Sequence, residues 1–276
     1  MKRIALVGKD SKLSSYMLGQ FALHQWEHEV LSLRKLSTMT SEERSAFWDS
    51  SRHKFDTFIF AAAVIDPSSS KKTLNFLNFE IPTHAIEIMW RANEPKQFLT
   101  LGSALEGVAT ENPYIASKHR LGVRASDGDI EGWTHIRTHT LVGRTPPPKH
   151  MMLGQLLEAL RSKTDFTIHG TKQMREYIHY DQFAAFVTDV LDGPDARNLP
   201  PTLQVGGTEK TLVADLVKGL MVKFNPESRL HVDESLGWSS DQTVQTAAVN
   251  DFTLQTPKAL DLVGLLAKNW LAGRSS

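Results

Sequence analysis

Short apolar runs alternate with helix-patterned segments through the first half of this chain, and that alternation decides most of what it can fold into. "RIALVG", residues 3–8, reads as a short buried strand. "SSYMLGQFALHQW" then places Met17, Leu18, Phe21 and Leu23 at helical spacing, with Ser14 or Ser15 as N-cap. "HEVLSLRK" reads as the second strand, "FDTFIFAAAVI" as the third and "KQFLTLGSA" as the fourth. "EIPTHAIEIMWRAN" is a helix between the last two, a further helix starts near Tyr114, and "WTHIRTHTLVG" supplies another strand. Strands this continuously apolar, separated by helices, predict a parallel sheet covered on both faces, the doubly wound α/β arrangement. "RTPPPKH", residues 144–150, interrupts the pattern and marks the start of a second lobe.

Composition removes several function classes. The 31 basic and 31 acidic residues cancel, so no overall charge draws the chain to nucleic acid or to a membrane surface. There are no cysteines, which excludes disulfides, thiolate metal sites and thiol nucleophiles. The 11 histidines show no metal-ligand spacing, and no metal site is expected. The apolar run in "MKRIALVG" is too short for a signal peptide, and no segment is apolar over the length that spans a bilayer. The expected location is the cytoplasm.

Two groups of residues carry chemistry. Some twenty residues after Gly8, where such sheets meet an adenosine ribose, the chain offers Arg34 and Lys35 with no carboxylate. A guanidinium there suits a 2'-phosphate, which favours NADP(H), with NAD(H) as the alternative. Farther on, Tyr114 and Lys118 stand four apart and share one face of a helix. An ammonium near a phenol stabilises the phenolate and eases proton transfer from a group whose ordinary pKa is about 10. Ser103 closes a predicted parallel strand, on the edge where such sheets bind ligands, and its hydroxyl is placed to polarise a carbonyl oxygen.

With these residues in view, nearly the whole chain resembles the short-chain dehydrogenases/reductases, in the extended branch that acts on nucleotide sugars. "NPYIASK" resembles that family's Tyr-x-x-x-Lys segment, and "FLTLGSA" its serine-bearing strand. "AAAVIDP" is similar to the alanine-rich strand end lining the cofactor, which implies contacts from Ala61 and Ala62. Asn78 matches an asparagine that opens the preceding helix. "FTIHGTKQMREYIHYDQFAAFV" is the most specific match. It implies that Arg175 pairs with a substrate diphosphate, that Asp181 is structural, and that His179 is neither base nor ligand. The resemblance implies a Rossmann-type domain over 1–143 and a smaller C-terminal substrate-binding lobe over 144–276. Segments around 175–206 would return to the first domain. It also implies a homodimer packed through the helix that carries Tyr114.

The chain departs from the family in informative places. The usual Gly-x-x-Gly-x-x-Gly loop appears as Gly8, Ser11 and Ser14. Serines there crowd a pyrophosphate, yet they keep donors at a helix N-terminus. Tyr114 stands only eleven positions after Ser103, so this rim is trimmed. In "IRTHTLVG", Thr140 replaces an asparagine that touches substrate, and His139 would lie beside the nicotinamide. Ala104 and Leu105 follow Ser103 where sugar dehydratases carry an acidic pair, and the cysteine base of GDP-fucose-forming enzymes is absent. What remains is a 4-ketoreductase or a 4-epimerase of a nucleotide sugar, and Arg34 and Lys35, which suit NADPH, favour the NADPH-dependent 4-ketoreductase. The alternatives are a 4-epimerase with tightly held NAD and, from another class, a non-catalytic NADP sensor.

Overall fold

A computed structural model describes residues 2–66, 68–91, 96–107, 111–169, 173–194, 196, 198–233 and 250–273. The chain forms two compact units, Met1–Thr138 with Ala184–Gln204, and His139–Phe183 with Val205–Ser276. The first half holds β1 (Arg3–Val7), α1 (Lys12–Leu23), β2 (Glu27–Leu31), α2 (Leu33–Thr38), α3 (Ser41–Ser51) and β3 (Thr57–Phe60). Next come α4 (Lys71–Asn75), α5 (Ile81–Trp90), β4 (Gln97–Ser103), α6 (Pro113–Ser126) and β5 (Trp133–Thr138). The remainder begins with β6 (Thr140–Val142), α7 (Met152–Ser162), β7 (Phe166–His169), β8 (Met174–Arg175), β9 (Tyr177–His179) and α8 (Tyr180–Asp192). It closes with β10 (Thr202–Gly207), β11 (Thr211–Leu212), α9 (Val213–Phe224), β12 (Leu230–Asp233), β13 (Phe252–Leu254) and α10 (Ala259–Leu271).

The expected α/β sheet is present. Among the described residues, seven parallel strands run in the order β13-β10-β5-β4-β3-β1-β2. The chain leaves β1 to one side for β2 and returns on the other for β3, so the order reverses at β1. Outside the carboxyl ends of β1 and β3 lies the crevice where such sheets take ligands.

Apolar burial explains why the first unit's strands are so uniform. Ile4, Ala5, Leu6 and Val7 of β1 are all at most 1% exposed. Phe58 stacks on Phe98 across β3 and β4 at 5.8 Å, and Trp48 of α3 meets Phe58 edge-on at 6.5 Å. Each such ring, fully buried, contributes about 1.5–3 kcal/mol. Leu121 and Ala125 bring α6 into the same core. In the second unit, Leu156, Leu157 and Leu160 of α7 pack with Val217 and Leu220 of α9 and Val263 and Leu266 of α10.

Four boundaries differ from expectation. α1 starts at Lys12, with Ser11 at the N-cap position, because the Ser14 hydroxyl turns back to Gly8 instead of capping. β2 stops at Leu31, and Arg34 and Lys35 open a helix rather than end a strand. Ser32 is extended there and its hydroxyl accepts the Lys35 N–H, capping α2. β3 ends at Phe60, where the Ala61 and Ala62 amides both turn to the Val7 carbonyl. The last predicted strand is two strands, β5 and β6, interrupted at His139.

Candidate active site

At the sheet's reversal point, the loop after β1 is stitched from within. Gly8 has φ of 141°, a backbone state open to glycine, and a Cβ on it would press to 2.9 Å from the Ala62 nitrogen. The Ser11 hydroxyl donates to the Ala61 carbonyl at 2.9 Å, and the Ser14 hydroxyl to the Gly8 carbonyl at 2.7 Å. Ser14 is 1% exposed. Gly8, Ser11, Ser14, Ala61 and Ala62 are thus brought together at the carboxyl ends of β1 and β3. Arg34 and Lys35 follow β2, the strand beside β1, and both are exposed.

Ser103 ends β4. Its side chain accepts the Leu105 N–H at 3.1 Å, which leaves its own O–H to donate. Asn112 caps α6 by accepting the amides of Tyr114 and Ile115, with Pro113 in the first turn. Tyr114 is partly exposed in that turn, whereas Lys118, one turn on, is 3% exposed. Lys118 belongs to the stripe Ile115, Lys118, Leu121, Gly122 and Ala125 that α6 buries. Burial of an ammonium disfavours its charge, and Lys118 falls from 10.5 to about 8, with Glu106 opposing the fall.

Asn78 lies in a π-helical turn, Phe76–Glu80, between α4 and α5. It is 1% exposed. Its carbonyl accepts the Val64 N–H at 2.9 Å, and its amide donates to the Val64 carbonyl at 3.0 Å and to Ser117 Oγ at 3.2 Å. Ser117 in turn donates to the Tyr114 carbonyl at 2.6 Å. Asn78 therefore clasps the segment after β3 to the helix that carries Tyr114 and Lys118.

Sequence reasoning missed the charged chamber behind β4. Glu106 sits in a 3₁₀ turn, Ala104–Gly107, and both it and His135 are 0% exposed. The Glu106 carboxylate accepts the Ser103 N–H at 2.7 Å and Arg137 Nε at 3.1 Å, and meets His135 Nε2 at 3.1 Å. Burial works to raise the Glu106 pKa. The His135 hydrogen bond, the Ser103 amide and Arg137 outweigh it and hold the carboxyl below its ordinary 4.5. Burial lowers His135 from 6.5, so the ring is neutral at pH 7. A carboxylate only accepts, so Nε2 carries the proton and Nδ1 takes the Thr100 O–H at 2.9 Å. Trp133 Nε1, which only donates, reaches Thr100 Oγ1 at 3.0 Å. Two glycines hollow out the chamber: a Cβ on Gly102 would collide with Glu106 and His135, and one on Gly122 would lie 3.0 Å from Glu106 Oε2. A lysine on a helix's buried stripe was the available signal, since such a group calls for a counter-charge.

The remaining predicted residues belong to the second unit. Arg175 on β8 is partly buried and donates to Gln173 Oε1 at 3.2 Å and to the Met174 carbonyl at 3.3 Å. Burial lowers its pKa. His139 is buried 3.6 Å from Glu176, whose carboxylate accepts the Gly207 N–H at 2.9 Å and the Asn250 amide at 3.0 Å. Thr140 opens β6 and donates its N–H to the Glu176 carbonyl at 3.1 Å. His179 Nδ1 accepts the Asp181 N–H at 3.1 Å, and burial lowers the ring's pKa. Residues 108–110 of the trimmed rim and 170–172 before Arg175 lie outside the described residues.

No protein-family model matches the sequence, and no curated protein sequence does. Solved structures do match. An NAD-dependent NDP-hexosamine 5,6-dehydratase of tunicamycin biosynthesis superposes with TM-score 0.72 at 14% identity, over 99% of this chain and 98% of that one. A GDP-mannoheptose C4 reductase from Campylobacter jejuni, with NADP bound, gives 0.68 at 13% identity over 98% of both chains. A UDP-N-acetylglucosamine 4-epimerase from Bacillus cereus gives 0.65 at 11% identity, over 97% and 99%. This chain has their fold. The likeness bears out the doubly wound α/β fold read from the strand pattern.

Proposed function

We propose that the chain is an NADPH-dependent reductase of a nucleotide-bound 4-keto sugar. One observation carries the reading: a lysine buried on α6, one turn after a partly exposed tyrosine, beside a strand that ends in a serine. That combination is what protonation of a carbonyl oxygen calls for. A nicotinamide dinucleotide fits the sheet's reversal point, where Gly8 must stay bare and the N-terminus of α1 favours an anion. Gly8, Ala61, Ala62 and Lys118 would hold it, with Ser11 and Ser14 contributing by setting the loop's shape, Arg34 and Lys35 at a 2'-phosphate and His139 toward the nicotinamide. When bound, NADPH supplies a hydride to the carbonyl carbon. Tyr114 gives its phenolic proton to the carbonyl oxygen, and Ser103 donates a hydrogen bond to the same atom. Lys118, charged below about pH 8, makes that phenol a better acid. Arg175 binds the diphosphate and Thr140 contacts the sugar. Glu106 is not an acid for eliminating water from the sugar, because it is sealed behind β4 with its oxygens engaged.

The proposed enzyme is cytoplasmic and a homodimer packed through α6 and α5, where Val123 and Trp90 are exposed. The test is a thermal-shift screen with NADPH, NADH and a panel of UDP-, TDP-, GDP- and CDP-sugars, followed by turnover assays. Selective stabilisation by NADPH and by one nucleotide class, with NADPH oxidation by its 4-keto sugar, is expected. Nicotinamide co-purifying with the protein would turn the reading to a 4-epimerase. NADPH binding without turnover on any nucleotide sugar would turn it to a sensor.

A further inference from the structure

The chamber behind β4 bears on two of the proposed catalytic groups, on Ser103 by a hydrogen bond and on Lys118 through its charge. Glu106 holds the Ser103 main chain directly, at 2.7 Å from its nitrogen. Gly122 lies one helical turn beyond Lys118 on the same buried stripe, and its missing side chain is what lets the Glu106 carboxylate reach that face of α6. Among the described residues, the charged groups bearing on Lys118 come from the turn after β4 and from β5. Glu106 favours its proton, and the Lys118 charge acts on His135. Arg137 bears on both Glu106 and His135. On the other side of α6, α4 and the π-helical turn present Asn75 and Phe79 to Arg120, and Asn78 to Ser117.

We propose that Glu106 is a positioning residue, the buried counter-ion that keeps Lys118 protonated while its carboxylate fixes the Ser103 main chain. This rests on the reductase reading of Ser103, Tyr114 and Lys118, and it adds a regulation to it: the pH at which the site loses its ammonium is set from behind the sheet. The neutral His135, oriented by Thr100 and Trp133, gives Glu106 a hydrogen bond without adding a charge that would compete with the lysine. Arg137, partly exposed at the chamber's edge, shares the same carboxylate, and solvent screens its own charge.

Glu106→Gln tests this, because glutamine keeps an acceptor for the Ser103 amide and removes the charge. In protein carrying ¹⁵N-labelled lysine, with the Lys118 signal assigned from Lys118→Met, the Lys118 midpoint should fall from about 8 by about one pH unit. The alkaline limb of kcat/KM should move down with it, NADPH affinity should change little, and Glu106→Asp should restore the midpoint. An unmoved Lys118 midpoint in Glu106→Gln overturns the proposal. If that variant does not fold, Lys118→Met replaces it. Coupling is reciprocal, so the Glu106 carboxyl should then titrate at higher pH, and no movement again overturns the proposal. The titration needs no turnover. A chain that reduces no nucleotide sugar therefore loses the reductase reading while the Glu106–Lys118 coupling is still decided.

Discussion

The buried hydroxyl of Ser14 donates to the Gly8 carbonyl at 2.7 Å, closing the loop after β1 with a bond that a glycine at that position could not make. The sequence left two roles open for the loop serines, crowding a pyrophosphate or serving it as ligands. The geometry gives them a third, because their hydrogens go to the Gly8 and Ala61 carbonyls. Ser14→Gly should therefore destabilise the protein by about 1 kcal/mol, since the Gly8 carbonyl keeps only the Ser11 N–H of its two donors and a glycine enters α1. It should also weaken NADPH binding by loosening the loop. Urea unfolding and calorimetric titration check both effects, and tighter binding in Ser14→Gly would restore the crowding explanation.

Arg34 and Lys35 are exposed at the start of α2, next to the strand that flanks β1. Replacing both with alanine should raise the NADPH dissociation constant by about tenfold, the scale of one lost charge-assisted contact, and leave NADH binding nearly unchanged. Equal losses for both cofactors would remove the 2'-phosphate role.

Lys118 bears on stability as well as on function. Its folded value, about 8, lies below the ordinary 10.5, so the unfolded chain holds the proton more readily than the native one does. The penalty is full below pH 8 and fades between 8 and 10.5. Lys118→Met should therefore stabilise the fold at pH 7 by roughly 1–3 kcal/mol and gain much less at pH 10. Turnover should be lost at both. Melting curves at the two pH values check the sign.

His135 carries a pH signature of the same sign at lower pH. Burial lowers its folded value below 6.5, so the unfolded state takes up a proton that the native state refuses. Its contribution is complete above about pH 6.5 and is lost as pH falls toward the folded value. Melting temperature should drop between pH 7 and pH 5, and His135→Gln, with a lower starting stability, should flatten that slope.

How much of this was legible in the sequence depends on how local the signal is. The strands declared themselves because both faces of a parallel sheet are covered, which leaves runs such as Ile4–Val7 and Thr57–Phe60 almost wholly apolar. Tyr114 and Lys118 were legible because a four-residue spacing has one meaning on a helix. The end of β2 was misread because a single hydroxyl, on Ser32, turns the chain into a helix where the residue types continue to suit a strand. The chamber was hidden for a different reason. Thr100 meets His135 only through the β4–β5 register, and the space for Glu106 comes from side chains that Gly102 and Gly122 lack. An absent side chain carries meaning only once its neighbours are known.

The central claim is that Tyr114 gives the proton while the rest of the site binds. The direct test is single-turnover NADPH oxidation by the nucleotide-bound 4-keto sugar in Tyr114→Phe, with NADPH affinity measured on the same protein. The account predicts a rate lowered by at least about 10²-fold, the usual scale for a general acid, with affinity nearly unchanged. A Tyr114→Phe protein that turns over at the wild-type rate would contradict it.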